Sequence, residues 1–273
     1  MNQAEPLVIR PPARWVHLEL GELWTYRELL YFLTWRDLKV RYKQTVLGVS
    51  WAVLVPLIMM VVFTIFFRGR VSSQGLAYPV FVYTGLVVWT LFANSVNLSS
   101  ASLVSGSNLI TKVYFPRMLV ALAPVGAAIF DFGLAFLVLI PLMAYYGVAP
   151  EWSHVPAVIP LLALLLVAAS GVGLLFSALM VRYRDLRYAL PPLIQIWLFF
   201  SAVIVVPHWD NPWQTLYALN PMVGVVEGFR WAVADGPAPP GATMLVSTLS
   251  ALVLLAAGIL YFRRTEDTFA DVV

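Results

Sequence analysis

Cysteine is absent from the 273 residues, which excludes disulfides, thiolate nucleophiles and Cys-built zinc or iron–sulfur sites. Charge is scarce as well: 11% of the chain is Asp, Glu, Lys or Arg, where a soluble domain carries about a quarter. Lysine occurs only at Lys39, Lys43 and Lys112, never after a glycine. A phosphate loop closes on Gly-Lys-Ser/Thr, so the chain does not bind and cleave a nucleotide by that route. His17, His154 and His208 fall in different loops, and no pair has ligand spacing on one helix face. Each is expected to be an ordinary interfacial histidine. No internal repeat is visible that would pair the first half of the chain with the second.

What is abundant is apolar. Hydrophobic residues make up 61% of the chain and mean hydropathy is +0.83, the composition of an integral membrane protein. Arg36, Lys39, Arg41 and Lys43 lead straight into residues 44–67, which are 24 residues without a charge. About 20 residues cross a hydrocarbon core of about 30 Å, so this run spans with some tilt. Five further windows follow, at about 77–97, 118–146, 156–180, 189–206 and 243–262. The expected fold is therefore all-α and polytopic, with six transmembrane helices. Residues 71–111 carry no charge over 41 positions, too many for one crossing, and their second half is small and polar. The span is placed first, with its helix running on beyond the membrane.

Counting Lys and Arg sets the direction. With the N-terminus inside, 14 of the 17 fall on the cytoplasmic side, and only Arg68, Arg70 and Arg230 fall on the other. The positive-inside rule then places both termini in the cytoplasm. Topology explains the pI near 9.2, and no nucleic-acid partner is needed. The first 20 residues are polar and Pro-rich, so no cleavable signal peptide is expected.

Two segments are not spans. Across 22–43, Leu23, Tyr26, Leu30 and Leu33 recur at helical spacing opposite Glu28, Arg36, Lys39 and Lys43, which predicts an amphipathic helix along the cytoplasmic headgroups, with Trp24 and Trp35 as interfacial rings. Residues 207–242 read as two short apolar helices broken at Asn220 and Pro221, because the residue before a proline is pushed out of helical geometry. Neither is long enough to cross, so they are expected to dip in as a lid on the outer face. Asp131 is the single acid inside a span. It marks either a functional pathway or a carboxylate bonded to a neighbouring helix.

Several of these stretches together resemble a known family. The run 36–56, opening Arg-Asp-Leu-Lys-Val-Arg-Tyr-Lys, the segment Asn-Leu-Ile-Thr-Lys-Val-Tyr-Phe-Pro-Arg at 108–117, Val-Arg-Tyr-Arg-Asp-Leu-Arg at 181–187, Leu-Asn-Pro-Met at 219–222 and Glu-Gly-Phe-Arg-Trp at 227–231 are similar to the membrane subunit of type-2 ABC exporters of bacterial surface polysaccharide. The resemblance runs from about residue 22 to 264. It implies a non-catalytic permease subunit in the bacterial inner membrane, exporting an O-antigen-like glycan carried on an undecaprenyl-type lipid. It also implies a homodimer bound to two copies of a separate ABC ATPase. That ATPase holds the ATP and Mg, and this chain binds no cofactor.

The resemblance divides the chain into a tail at 1–21, an interface helix at 22–43, a six-span domain at 44–263 and a tail at 264–273. It makes 107–117 the coupling helix, with Asn108, Leu109, Lys112, Tyr114, Phe115, Pro116 and Arg117 against the ATPase. Arg36, Lys39, Arg184 and Asp185 are further candidate contacts, although Arg182, Arg184 and Arg187 serve equally as topology anchors. An aromatic belt is expected along the path, because rings grip sugar C–H faces without demanding one sequence. Trp51, Tyr83, Trp89, Phe92, Trp197, Phe199 and Phe200 are its candidates. The segment 208–235 resembles the outer gate, with Asn220, Pro221, Glu227 and Arg230. Departures from the family pattern concentrate at 203–209. Alternative cargoes are teichoic acid, capsule or a drug, and the rival of another class is a membrane glycan-modifying enzyme built on Asp131.

Overall fold

A computed structural model describes residues 20–43, 48–107, 115–207, 212–266 and 269. Their regular elements are all helical: α1 Leu20–Thr25, α2 Arg27–Tyr42, α3 Ser50–Phe67, α4 Tyr78–Ser105, α5 Met118–Tyr145, a 3-10 turn Val155–Ala157, α6 Val158–Arg182, α7 Leu186–Phe199, α8 Trp213–Tyr217, α9 Pro221–Ala234 and α10 Gly241–Thr265. Lipid offers no hydrogen-bond partners, so a spanning chain must satisfy its own backbone, and the helix does so within one segment.

Among the described residues five helices are long and apolar enough to cross: α3, α4, α5, α6 with its 3-10 turn, and α10. The sixth expected window, 189–206, takes another form. Its helix α7 stops at Phe199 after 14 residues, roughly 21 Å at 1.5 Å per residue, and 200–207 continue without regular structure. Pro191 and Pro192 lie inside α7, and each removes a backbone donor.

Helix α4 forms the centre, packed by α3, α5, α6 and α9. In its most apolar 18-residue window 83% of residues are buried, against 17% for α3 and 22% for α10. α3 and α10 therefore turn most of their surface outward. Helices α6 and α10 approach backbone to backbone: a Cβ on Gly171 would fall 2.5 Å from the Leu255 nitrogen, and Gly258 faces Gly171. Small residues permit this closeness where lipid supplies little drive for helices to associate.

The first turn of α6 (Pro160, Leu161) and the first two turns of α10 (Met244, Thr248) line one apolar cavity of about 530 Å3. The two helices thus run in the same direction. The chain leaves α6 at one end of the bundle and enters α10 at the other, so 183–240 traverse its height. A second, smaller core closes the end of the bundle where α5 begins and α10 finishes, called the inner end and its opposite the outer end, with Leu33, Leu103, Phe115, Met118, Leu119, Phe262 and Phe269 buried together.

The N-terminal helix runs beside the first half of α5. Thr34 donates to the Ala123 carbonyl at 3.3 Å and lies over Gly126, while Tyr42 meets Phe130 and Asp131 eight residues further on. α2 and α5 therefore share a direction, and α2 is a packed element of the bundle. Its apolar side supplies Leu33 to the inner core, and Trp24 and Trp35 stay exposed.

Candidate functional site

At the inner end the coupling candidates Asn108, Leu109, Lys112 and Tyr114 lie outside the described residues. Phe115 is 6% exposed and belongs to the inner core of this chain. Pro116 is buried beside it. The Arg117 backbone N–H donates to the Glu266 carboxylate at 3.2 Å, its guanidinium donates to the Glu266 carbonyl, and Arg263 pairs with the same carboxylate at 3.2 Å. The segment leading into α5 is thus tied to the end of α10.

Asp131 has found partners. Its carboxylate accepts from the Arg41 guanidinium and the Tyr42 hydroxyl, and it is 5% exposed. Burial first, and the Asp131 carboxylate second, push the Tyr42 phenol up to about 12, so it keeps its proton and donates. An acid in an apolar helix must be paired or neutralised, and a cation 90 residues earlier in the chain answers that need. A carboxylate occupied on both oxygens by side chains of α2 is held as a helix clamp.

Arg36 and Asp37 pair with each other on the exposed side of α2, where Lys39 lies over the Trp35 ring. Arg36, Arg41, Ser102 and Ser105 help line a cavity of about 320 Å3 between α2 and α4. Arg184 and Asp185 sit on the exposed turn between α6 and α7.

The aromatic candidates divide into two groups. Trp89, Phe92 and Trp197 form one cluster at 5.2 to 6.5 Å between α4 and α7, with Trp89 and Phe92 buried. Tyr83 is also buried and donates to the Ala135 carbonyl at 3.0 Å. Trp51, Phe199 and Phe200 are 52%, 53% and 60% exposed, on the outward faces of α3 and the end of α7. Phe63 of α3 meets Phe199 edge to face at 6.3 Å, joining those faces.

The outer end holds the densest polar network. Past α7 the chain has left helical geometry in a place where Ser201, Ala202, Val203 and Ile204 are 0 to 2% exposed, and unmade backbone hydrogen bonds there would be costly. Side chains supply the missing partners. Asn220 donates to the Phe200 carbonyl at 2.6 Å, and the Tyr217 hydroxyl accepts from the Ala202 N–H at 2.8 Å. Arg230 donates to the carbonyls of Ala202 and Val203, each at 2.6 Å, and Tyr78 donates to that of Ile204 at 3.3 Å. Ala202 sits at φ +56°, left-handed geometry that an L-residue adopts only when surrounding bonds hold it there.

Arg230 organises this network. It is 1% exposed, its third nitrogen donates to the Phe81 carbonyl at 3.0 Å, and the guanidinium lies 3.6 Å over the Phe81 ring. The sequence count placed it among charges on the far side. It lies at that end of the bundle, buried inside the protein, because a broken stretch in apolar surroundings needs more donors than an apolar helix carries. Gly85 leaves room for it, since a Cβ there would fall 2.8 Å from the guanidinium.

Asn220 also caps α9, accepting from the Met222 N–H at 3.1 Å, with Pro221 in the first turn where its missing N–H costs nothing. Glu227, 7% exposed, borders an outer cavity of about 330 Å3 with Gln74, Gln214 and a run of prolines. His154 stacks on Trp231 at 4.3 Å and lies 4.0 Å from Asp235, while His17 and His208 lie outside the described residues. Tyr78, Tyr217 and Ser247 were not marked by the sequence. Ser247 of α10 donates to the Ala218 carbonyl and accepts from the Gly224 N–H, fixing α9 to α10.

A bundle of long apolar helices, cationic at one end and closed at the other by a broken segment pinned to buried side chains, defines a multi-pass membrane protein. The chain belongs to the ABC-2 type transporter family, whose profile matches residues 28–233. It is 28% identical to the O-antigen export system permease protein RfbA of Myxococcus xanthus over 255 residues, 92% of this chain and 97% of that one. A second RfbA, from Klebsiella pneumoniae, is also 28% identical, covering 90% and 95%. The polysialic acid transport protein KpsM of Escherichia coli is 25% identical, covering 85% and 91%.

Proposed function

We propose that this chain is the permease subunit of an ATP-driven exporter that moves a lipid-linked, O-antigen-like polysaccharide out of the cytoplasm across the bacterial inner membrane. The observation that carries this is end-to-end similarity to permeases named for O-antigen export, in a chain lacking a phosphate loop of its own. Power then comes from two copies of a separate ABC ATPase bound to a homodimer, with ATP and Mg on that partner. The carrier is an undecaprenyl-type lipid. Because α6 and α10 run parallel, α7 with 200–207 supplies a sixth crossing, and both termini face the cytoplasm. Polysaccharide capsule is the second cargo, favoured by the similarity to a polysialic acid transporter.

In this reading α1, α2 and 107–117 flank the ATPase, and Phe115 and Arg117 act by anchoring the loop to the inner core and to α10. The broken segment with Asn220, Pro221, Glu227 and Arg230 closes the outer side. The exposed faces of α3 and α7, with Trp51, Phe199 and Phe200, meet the partner subunit or the path between subunits. The deciding experiment expresses the chain, with the ABC ATPase encoded beside it, in a strain lacking its O-antigen permease and stains for surface glycan. Glycan returns if the proposal holds. Its absence with both proteins present in the membrane, or ATP hydrolysis by the purified chain alone, overturns it.

A further inference from the structure

We infer that the cavity between the inner end of α4 and the turn joining α6 to α7 binds the phosphate or diphosphate head of an anionic amphiphile at the cytoplasmic membrane boundary. The inference rests on the export reading above and assigns a place to one chemical part of such a cargo. The cavity has a volume of about 440 Å3. Its floor is apolar, made by Ala101 and Val104 of α4 and Met180 of α6, and its rim carries Arg184, Arg187, Tyr188 and the Ser105 hydroxyl. An apolar floor beneath a cationic rim matches a molecule that is hydrocarbon at one end and anionic at the other.

The charges at this rim are uncommitted. Arg41 is bound to Asp131, Arg263 to Glu266 and Arg36 to Asp37, whereas neither Arg184 nor Arg187 forms an ion pair among the described residues. Asp185, between them in sequence, lines no part of the cavity. The first N–H groups of α7 are spent on the carbonyls of Tyr183, Arg184 and Asp185, so the two guanidiniums carry the site. Two planar guanidiniums, each able to grip phosphate oxygens in a fork, with the Tyr188 hydroxyl nearby, form a donor set for a phosphate ester, while the Ser105 hydroxyl already donates to the Ser102 carbonyl.

Charge on this turn also serves topology, and Arg182 separates the two roles. It carries the same charge on the same turn but does not line the cavity, lying instead over the Tyr183 ring. A topology anchor treats all three arginines alike and accepts lysine in their place. An anion site distinguishes them, and it distinguishes Arg from Lys.

The test uses the full chain in nanodiscs of phosphatidylcholine, with labelled farnesyl diphosphate as the probe, farnesol as the uncharged control and inorganic pyrophosphate as the free anion. Farnesyl diphosphate should bind saturably. R184Q/R187Q should weaken it roughly tenfold or more, R184K/R187K several-fold with insertion intact, and R182Q not at all. Equal binding to R184Q/R187Q overturns the site, as does an equal loss in R182Q or equal retention of farnesol. Pyrophosphate binding as tightly as farnesyl diphosphate overturns the amphiphile in favour of a free phosphate. Release of the ATPase by R184Q/R187Q with probe binding unchanged makes the turn a protein contact and also overturns it. Surface glycan measured in parallel keeps the two claims apart: a wild-type chain that binds the probe yet exports nothing sinks the export reading and leaves the site standing.

Discussion

Replacing Arg230 with Met should unfasten the outer end of the subunit without dismantling the bundle. The side chain makes three hydrogen bonds, at 3.0 Å to Phe81 and 2.6 Å to both Ala202 and Val203, all to buried carbonyls. A hydrogen bond to a charged group contributes roughly 1.5–3 kcal/mol net, and a buried acceptor left without a donor costs about 1–3 kcal/mol. Against this, removing a guanidinium that is 1% exposed releases its desolvation penalty, which is several kcal/mol for a buried ion. Methionine also refills part of the volume beside Phe81. Taking the three lost bonds as non-additive and setting the desolvation against them leaves a net cost of about 4 kcal/mol.

That cost falls on a particular place. The long helices keep their own backbone bonds, while 200–204 lose two of the side-chain contacts that hold them out of helical geometry. Hydrogen exchange followed by mass spectrometry, on the chain in nanodiscs, should show peptides over 198–207 opening up to about 1,000-fold more readily, with α4 and α6 little changed. Lysine should not rescue, because one ammonium on a flexible stem cannot satisfy carbonyls on two elements at once. Exchange over 198–207 within tenfold of the wild type would refute the claim that Arg230 holds this stretch.

At the inner side, Asp131→Ala should cost about 3 kcal/mol by stranding the Arg41 guanidinium, and D131L/R41M should recover most of it, which thermal unfolding of the purified chain would read as a non-additive cycle. An additive result would mean the pair is not coupled. Gly171→Val should separate α6 from α10, because a Cβ there has backbone within 2.5 Å and nothing flexible to move; a loss of about 3 kcal/mol or a failure to insert stably is expected, and a wild-type melting curve would exclude the close crossing.

The long helices were legible because their signal is local. An uncharged run of spanning length announces itself, and boundaries such as 118–146 for Met118–Tyr145 follow from where charges and loop residues begin. The helix break at Asn220 and Pro221 was equally readable, since steric restriction before a proline acts between adjacent residues. The region after α7 was not. Its window is apolar enough to suggest a span, and what ends the helix at Phe199 is a set of side chains from α4, α8 and α9 that accept a broken backbone. The burial of Arg230 was hidden for the same reason: composition reports a charge, but only tertiary structure reports three buried carbonyls awaiting one. Asp131 stood out as an acid in lipid, yet its partners Arg41 and Tyr42 are about 90 residues away, and no spacing rule links them. The aromatics show the limit most plainly. Rings on α4 and rings on α3 look alike in sequence, and only packing separates buried Trp89 from exposed Trp51.

The distribution of close contacts also says where the subunit is stiff. Helices α4, α6 and α10 form a continuous slab: α6 meets α10 through Gly171 and Gly258, and meets α4 through Gly173 set against Ser99. Two members of that slab reach both ends. α4 gives Ser105 to the cationic cavity inside and the Phe81 carbonyl to Arg230 outside, while α10 is tied to Arg117 through Glu266 inside and holds α9 through Ser247 outside. Interiors packed this closely transmit displacement because they have no slack to absorb it. A displacement of Arg117 at one end of the bundle therefore acts on a rod that ends at the Arg230 network at the other. Helix α7 is attached differently. It touches α4 and α6 sparingly, and its polar ties to the rest of the protein cluster just beyond its outer end, at Phe200, Ser201 and Ala202. Helix α7 is thus the element least tied to the slab, along the surface that carries Trp197, Phe199 and Phe200, and the side chains holding 200–204 are its main polar attachments.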